Sequence, residues 1–140
     1  MRHKLVAASV LVACFAAGCS GPAVQQLTGK VTFKNQPVPA GRVFFLPDPT
    51  KKNTGPGGFA EIKNGKYDTR AKGAGSPSGA LIVRIDGFDG QTTSENPLGQ
   101  PLFLTHEMLI DLAPGTATHD FDVPADAAKN LPKAGRADPP

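Results

Sequence analysis

The sequence has no tryptophan, a single tyrosine and only two cysteines in 140 residues. Both cysteines, Cys14 and Cys19, stand near the N-terminus. The chain beyond Cys19 therefore has no internal disulfide available, and its fold must stand on packing alone. Long apolar runs are scarce as well. The longest, residues 5–15, is far shorter than the ~20 apolar residues a spanning helix needs, which argues against a permanent transmembrane anchor. Charge of one sign is also lacking. The formal net charge is +3, and Arg2 and Lys4 in the first residues supply two of those charges, so the chain carries no electrostatic footprint for nucleic acid. There is no HExxH, no GxSxG and no EF-hand spacing, so zincin, serine-hydrolase and EF-hand chemistry lack their sequence signatures. No period of 20–50 residues repeats, which leaves a single copy of one unit.

What is present begins with a segment in three parts. Met1-Arg2-His3-Lys4 is basic, residues 5–15 are apolar and uncharged, and Ala16-Ala17-Gly18-Cys19 follows. That is the layout of an exported signal peptide. A cysteine directly after small residues resembles the bacterial lipoprotein signal, although Ala16 stands where leucine is most common. The resemblance implies cleavage between Gly18 and Cys19 and a diacylglycerol thioether on the Cys19 thiol. It also implies a cell-envelope location, with the membrane as partner through that anchor. Two or more acyl chains, each methylene contributing ~0.8 kcal/mol, hold a protein stably at a bilayer where one chain does not.

Beyond residues 1–18, glycine (16 in the whole chain) and proline (14) are frequent but scattered, as in a turn-rich β protein. Residues 19–26 read as a polar tether. Residues 27–34 alternate, with Leu27, Gly29, Val31 and Phe33 on one face and Lys30 and Lys34 on the other. This is the period of a half-buried strand. Residues 35–41 form a turn with two prolines, residues 42–46 a β-branched and aromatic strand, and residues 48–58 a loop. Asn64-Gly65 predicts a hairpin between residues 59–63 and 66–69, because both turn residues tolerate positive φ. Residues 79–86 are the most apolar strand, with Leu81, Val83 and Ile85 on one face, and belong at the centre of a sheet. A long connection, 87–100, leads to a strand within 101–112 and a last strand at 117–123. Residues 125–140 hold too little apolar material to offset their ordering entropy, which predicts a disordered tail with one helical turn near 126–130. The expectation is an all-β protein: a single antiparallel sandwich of about seven strands over residues 27–124.

The text LTGKVTFKNQPVPAGRVFFLPD resembles the opening of the carboxypeptidase regulatory-like, transthyretin-like domain. The residues that carry the resemblance are Gly29, Val31, Pro37, Val38, Pro39, Gly41, Val43 and Phe45, followed by Gly65-Lys66-Tyr67 and the strand at 79–85. These are turn and core positions. The resemblance implies a Greek-key β-sandwich without catalytic residues or a cofactor of its own, and says little about chemistry. Where relatives carry an Asp-x-Asp-Gly turn before Phe59, this chain has Gly-Pro-Gly-Gly, which removes support for calcium there.

Other candidate sites have plainer readings. Beyond the signal the histidines are His106 and His119. Metal ligation needs three or four converging donors, and partly buried strand histidines are the simpler account. Asp86, Asp89 and Glu95 share the long connection, but two Asp-Gly pairs read as turn chemistry before they read as a calcium site. Gly55, Gly57 and Ala60 fit a relaxed phosphate-loop pattern, yet Pro56 interrupts it and no helix follows. Lys51-Lys52 is a solvated pair, and Lys30 and Lys34 read as guards of a sheet edge. The functional expectation is a non-catalytic, lipid-anchored module that binds an envelope protein or glycan. Two alternatives stand beside it: a small hydrolase using His106 and His119, and a purely structural lipoprotein.

Overall fold

A computed structural model describes residues 24–131. Gly18 and Cys19, with the signal and most of the tether, lie outside the described residues, as does the tail from residue 132. Eleven strands form in chain order. They are β1 (Val24–Gln25), β2 (Thr28–Phe33), β3 (Gln36–Pro37), β4 (Ala40–Pro47), β5 (Gly58–Lys63), β6 (Lys66–Asp68), β7 (Gly73–Ala74), β8 (Ser76–Pro77), β9 (Gly79–Phe88), β10 (Pro101–Leu112) and β11 (Phe121–Val123). Two 3-10 turns, Pro49–Lys51 and Ala125–Asn130, complete the elements. No helix among the described residues is long and apolar enough to cross a membrane.

The all-β expectation holds, and most pairing is antiparallel. The main sheet runs in the order β10-β9-β4-β5-β6-β2-β11, with β3 on β2 and β7 on β5, while β1 and β8 pair apart from it. The sheet curls, so strands distant in that order meet across the core. The rings of Phe33 on β2 and Phe103 on β10 lie 4.9 Å apart. The alternation in the sequence decides which side chains fill this curl. Leu27, Val31, Val43, Phe45, Leu81, Val83 and Ile85 are all fully buried. Burying each stabilises the fold by roughly 1.5–3 kcal/mol relative to leaving it in water. The strand read as the most apolar, β9, is flanked on both sides by the two other long strands, β4 and β10.

The hairpin at Asn64-Gly65 forms as the turn chemistry requires, with φ of 49° and 73°. Lys63 and Lys66 pair across it. A second two-residue turn, Lys34-Asn35, has φ of 52° and 60° and folds β3 back on β2. Asp48, buried to 4% exposure, caps the first 3-10 turn by accepting from the Thr50 backbone N–H at 2.9 Å and its hydroxyl at 2.7 Å. In the long connection, Asp89 Oδ1 accepts from the backbone N–H groups of Gln91 and Gln100, each at 2.9 Å, which ties the loop's two ends together.

One expectation is corrected, and the segments at the two ends of the sheet take on structure of their own. The last strand runs parallel to β2, not antiparallel. The connection after β10 carries the chain to the start of β2, where Thr28 N–H donates to Ala117 and His119 N–H donates to Thr28. From there β11 can only travel in the same direction as β2. It begins at Phe121 and not at Ala117, because the Asp120 carboxylate takes the Lys30 N–H at 2.7 Å. The tether is engaged where it enters the described residues. Val24–Gln25 pair with β8, and the Gln25 side chain accepts from Gly115 N–H at 2.7 Å. The single helical turn expected near 126–130 forms as the second 3-10 turn, Ala125–Asn130, and its Ala127 and Ala128 pack against the core.

Candidate binding groove

The outward faces of β2, β6 and β5 carry the polar half of the alternation. Strand register brings three like charges into one lateral row. Lys66 is the direct partner of Lys30 on β2 and of Lys63 on β5. Directly opposed residues have Cβ atoms about 4.5–5.5 Å apart, and like charges so placed destabilise a sheet. The row borders a groove of about 810 Å³, whose lining also includes Thr28, Gly29, Glu61, Tyr67, Asp68, Lys72, Thr118 and Asp120.

The groove's carboxylates are largely committed elsewhere. Asp68 is bidentate to Arg70, with Nε–Oδ1 at 3.0 Å and Nη2–Oδ2 at 3.1 Å. The Arg70 guanidinium and its backbone N–H hold this carboxyl below the usual carboxylate range. Asp120 accepts from the Lys30 backbone, not from an ammonium. Glu61 lies 3.7 Å from Lys63. Among the described residues, Lys30, Lys66 and Lys72 make no ion pair. The floor is firm: Tyr67 is buried, and its hydroxyl donates to the His119 carbonyl at 2.6 Å. Burial first, and the negative charge of Asp120 second, push this phenol well above its ordinary range. It stays a neutral donor at any physiological pH.

The other sequence candidates lie elsewhere. His106 is on β10 opposite Ile85, and His119 precedes β11 with its ring 4.8 Å from Phe121, so the two belong to opposite ends of the hydrogen-bonded order. Asp86 accepts from the Thr105 hydroxyl at 2.6 Å, Asp89 organises its own loop, and Glu95 is exposed. No three metal-ligating side chains converge among the described residues. Lys51 and Lys52 close the first 3-10 turn. Lys30 is not an edge guard, because β2 has β6 on one side and β11 on the other. The lysine row escaped the sequence reading, although half of its signal was there. A two-residue turn at Asn64-Gly65 already sets Lys63 against Lys66.

No family model matches the chain, and no curated protein does. Among solved structures it is similar to the crystal structure of a 9R-lipoxygenase from Cyanothece, at 15% identity and a TM-score of 0.33. The match covers 72% of this chain and 16% of that one. Likeness at that level carries no argument about activity.

Proposed function

We propose that this protein is a lipid-anchored, non-catalytic binding module of the bacterial cell envelope, built as a transthyretin-like Greek-key sandwich. The anchor reading rests on Ala16-Ala17-Gly18-Cys19 after a basic and then apolar start. The family reading rests on turn and core residues. Val31, Val38, Val43 and Phe45 are fully buried, and Gly65 has the positive φ its turn needs. The observation that carries the binding reading is the row Lys30, Lys66 and Lys63 beside an 810 Å³ groove. A sheet that opposes like charges gives up stability, and an anionic ligand seated on the row would offset that repulsion. The hydrolase alternative needs His106 and His119 in one cleft, and this groove is lined by neither.

The test has two parts. Mass spectrometry of the N-terminal peptide from purified native protein is expected to show cleavage before Cys19 and an acylated sulfur, and Cys19→Ala is expected to leave the membrane fraction. An unmodified thiol overturns the anchor. Crosslinking in intact envelopes is expected to recover a partner that Lys30→Gln/Lys66→Gln loses. Equal recovery by both proteins overturns the groove as the binding surface.

A further inference from the structure

We infer that the groove takes an acidic glycan, a linear polysaccharide bearing carboxylates. Its acid groups lie along Lys30, Lys66 and Lys63, and its hydroxyls donate to the groove's acceptors. This rests on the reading of the groove as a binding surface and names its ligand class.

Size is the first argument. Small-molecule sites span about 300–1,000 Å³. At about 810 Å³ the groove is far larger than a single inorganic anion and suits several linked sugar units. The geometry of charge is the second. The lysines sit on three adjacent strands, and strands lie about 4.7–4.9 Å apart. The row therefore presents positive charge along a line about 10 Å long, unpaired among the described residues at Lys30 and Lys66 and shared with Glu61 at Lys63, which fits a chain with acid groups on successive units.

Acceptors decide between polyanions. Glu61 and Asp120 line the same groove. Each keeps one carboxylate oxygen with no partner among the described residues; that oxygen repels any polyanion but accepts from a hydroxyl, and a glycan carries a hydroxyl beside each acid group where a DNA backbone carries none. A single-stranded nucleic acid also wants exposed aromatic faces for its bases. The groove's aromatic is Tyr67, which is buried with its hydroxyl already donated to His119. Lysines in place of arginines agree with this. A flexible point charge tolerates carboxylates at variable positions, while arginine's rigid fork selects one bidentate geometry.

The experiment is calorimetric titration of the full-length protein in detergent micelles with three probes: alginate oligomers, polyglutamate and neutral dextran. Alginate is expected to bind, to weaken as salt rises, and to lose about tenfold or more in affinity in Lys30→Gln/Lys66→Gln. Dextran is expected to give no heat. Thermal unfolding of the variant at or above the native midpoint shows that the loss is not misfolding. Equal alginate affinity in the variant overturns the placement. Binding of polyglutamate without alginate overturns the glycan class and leaves the binding reading intact. Binding of neither overturns the inference, and the crosslinking result then judges the broader reading separately.

Discussion

The hydroxyl of Tyr67 donates a 2.6 Å hydrogen bond to the carbonyl oxygen of His119. Tyr67 belongs to β6 and His119 to the approach to β11, and β2 lies between those strands. The bond crosses β2 above Gly29, where a Cβ would collide with the same carbonyl and lie 2.8 Å from the Tyr67 ring. It clasps the short parallel strand, which has three residues of its own to hold it. Tyr67→Phe removes the clasp and leaves the carbonyl without this donor. The expected cost is about 1–2 kcal/mol, a fall in Tm of several degrees by circular dichroism. An unchanged midpoint would show that β11 is held by other contacts.

Gly29→Ala is expected to cost more, about 1–3 kcal/mol or above, because the new methyl must displace the His119 backbone. Both substitutions break one contact, so their effects are expected not to add. A double-mutant cycle in urea reads the coupling directly. Additive costs would separate the glycine from the clasp.

Alkaline pH attacks the same point. The folded Tyr67 phenol is raised above its ordinary value of 10.0 by burial and then by Asp120. The folded state therefore holds this proton more tightly than the unfolded chain does. Its contribution is complete below about pH 10 and declines as pH rises from there toward the folded value. Stability is expected to fall above pH 10 in the native protein and to fall less steeply in Tyr67→Phe. Tyr67 is the chain's single tyrosine, so phenolate absorbance follows it alone. Titration at the ordinary value in the folded protein would contradict the burial argument.

Lys66→Gln tests the lysine row without any ligand. It removes two directly opposed like-charge contacts, with Lys30 and with Lys63, while keeping most of the side chain. A gain of about 0.2–1 kcal/mol is expected at low salt, shrinking as salt screens the row. Thermal unfolding at two ionic strengths measures both. A loss of stability would mean that Lys66 makes a favourable contact that the row does not explain.

The sequence made parts of this structure legible for a local reason. Side chains of a strand alternate between faces whatever the partner, so the sequence alone marks Leu81, Val83 and Ile85 as core. A two-residue turn fixes its own register, so Asn64-Gly65 set Lys63 opposite Lys66. Packing of Ala127 and Ala128 is not legible, because small residues show no period and gain their burial only from the core they pack against.

Sequence by itself therefore determined the longer strands, most of their inward residues and the Asn64-Gly65 turn, since each depends on neighbours within a few positions, while the two-residue strands β1, β3, β7 and β8 exist only through their partners. It also carries the Ala16-to-Cys19 text on which the envelope reading stands. Tertiary structure alone decided that β11 runs with β2, that Lys30 stands beside Lys66, and that Tyr67 reaches His119. Those relationships join residues far apart in the chain. Their geometry is set by how the sheet curls and closes on its core, and no local pattern encodes that.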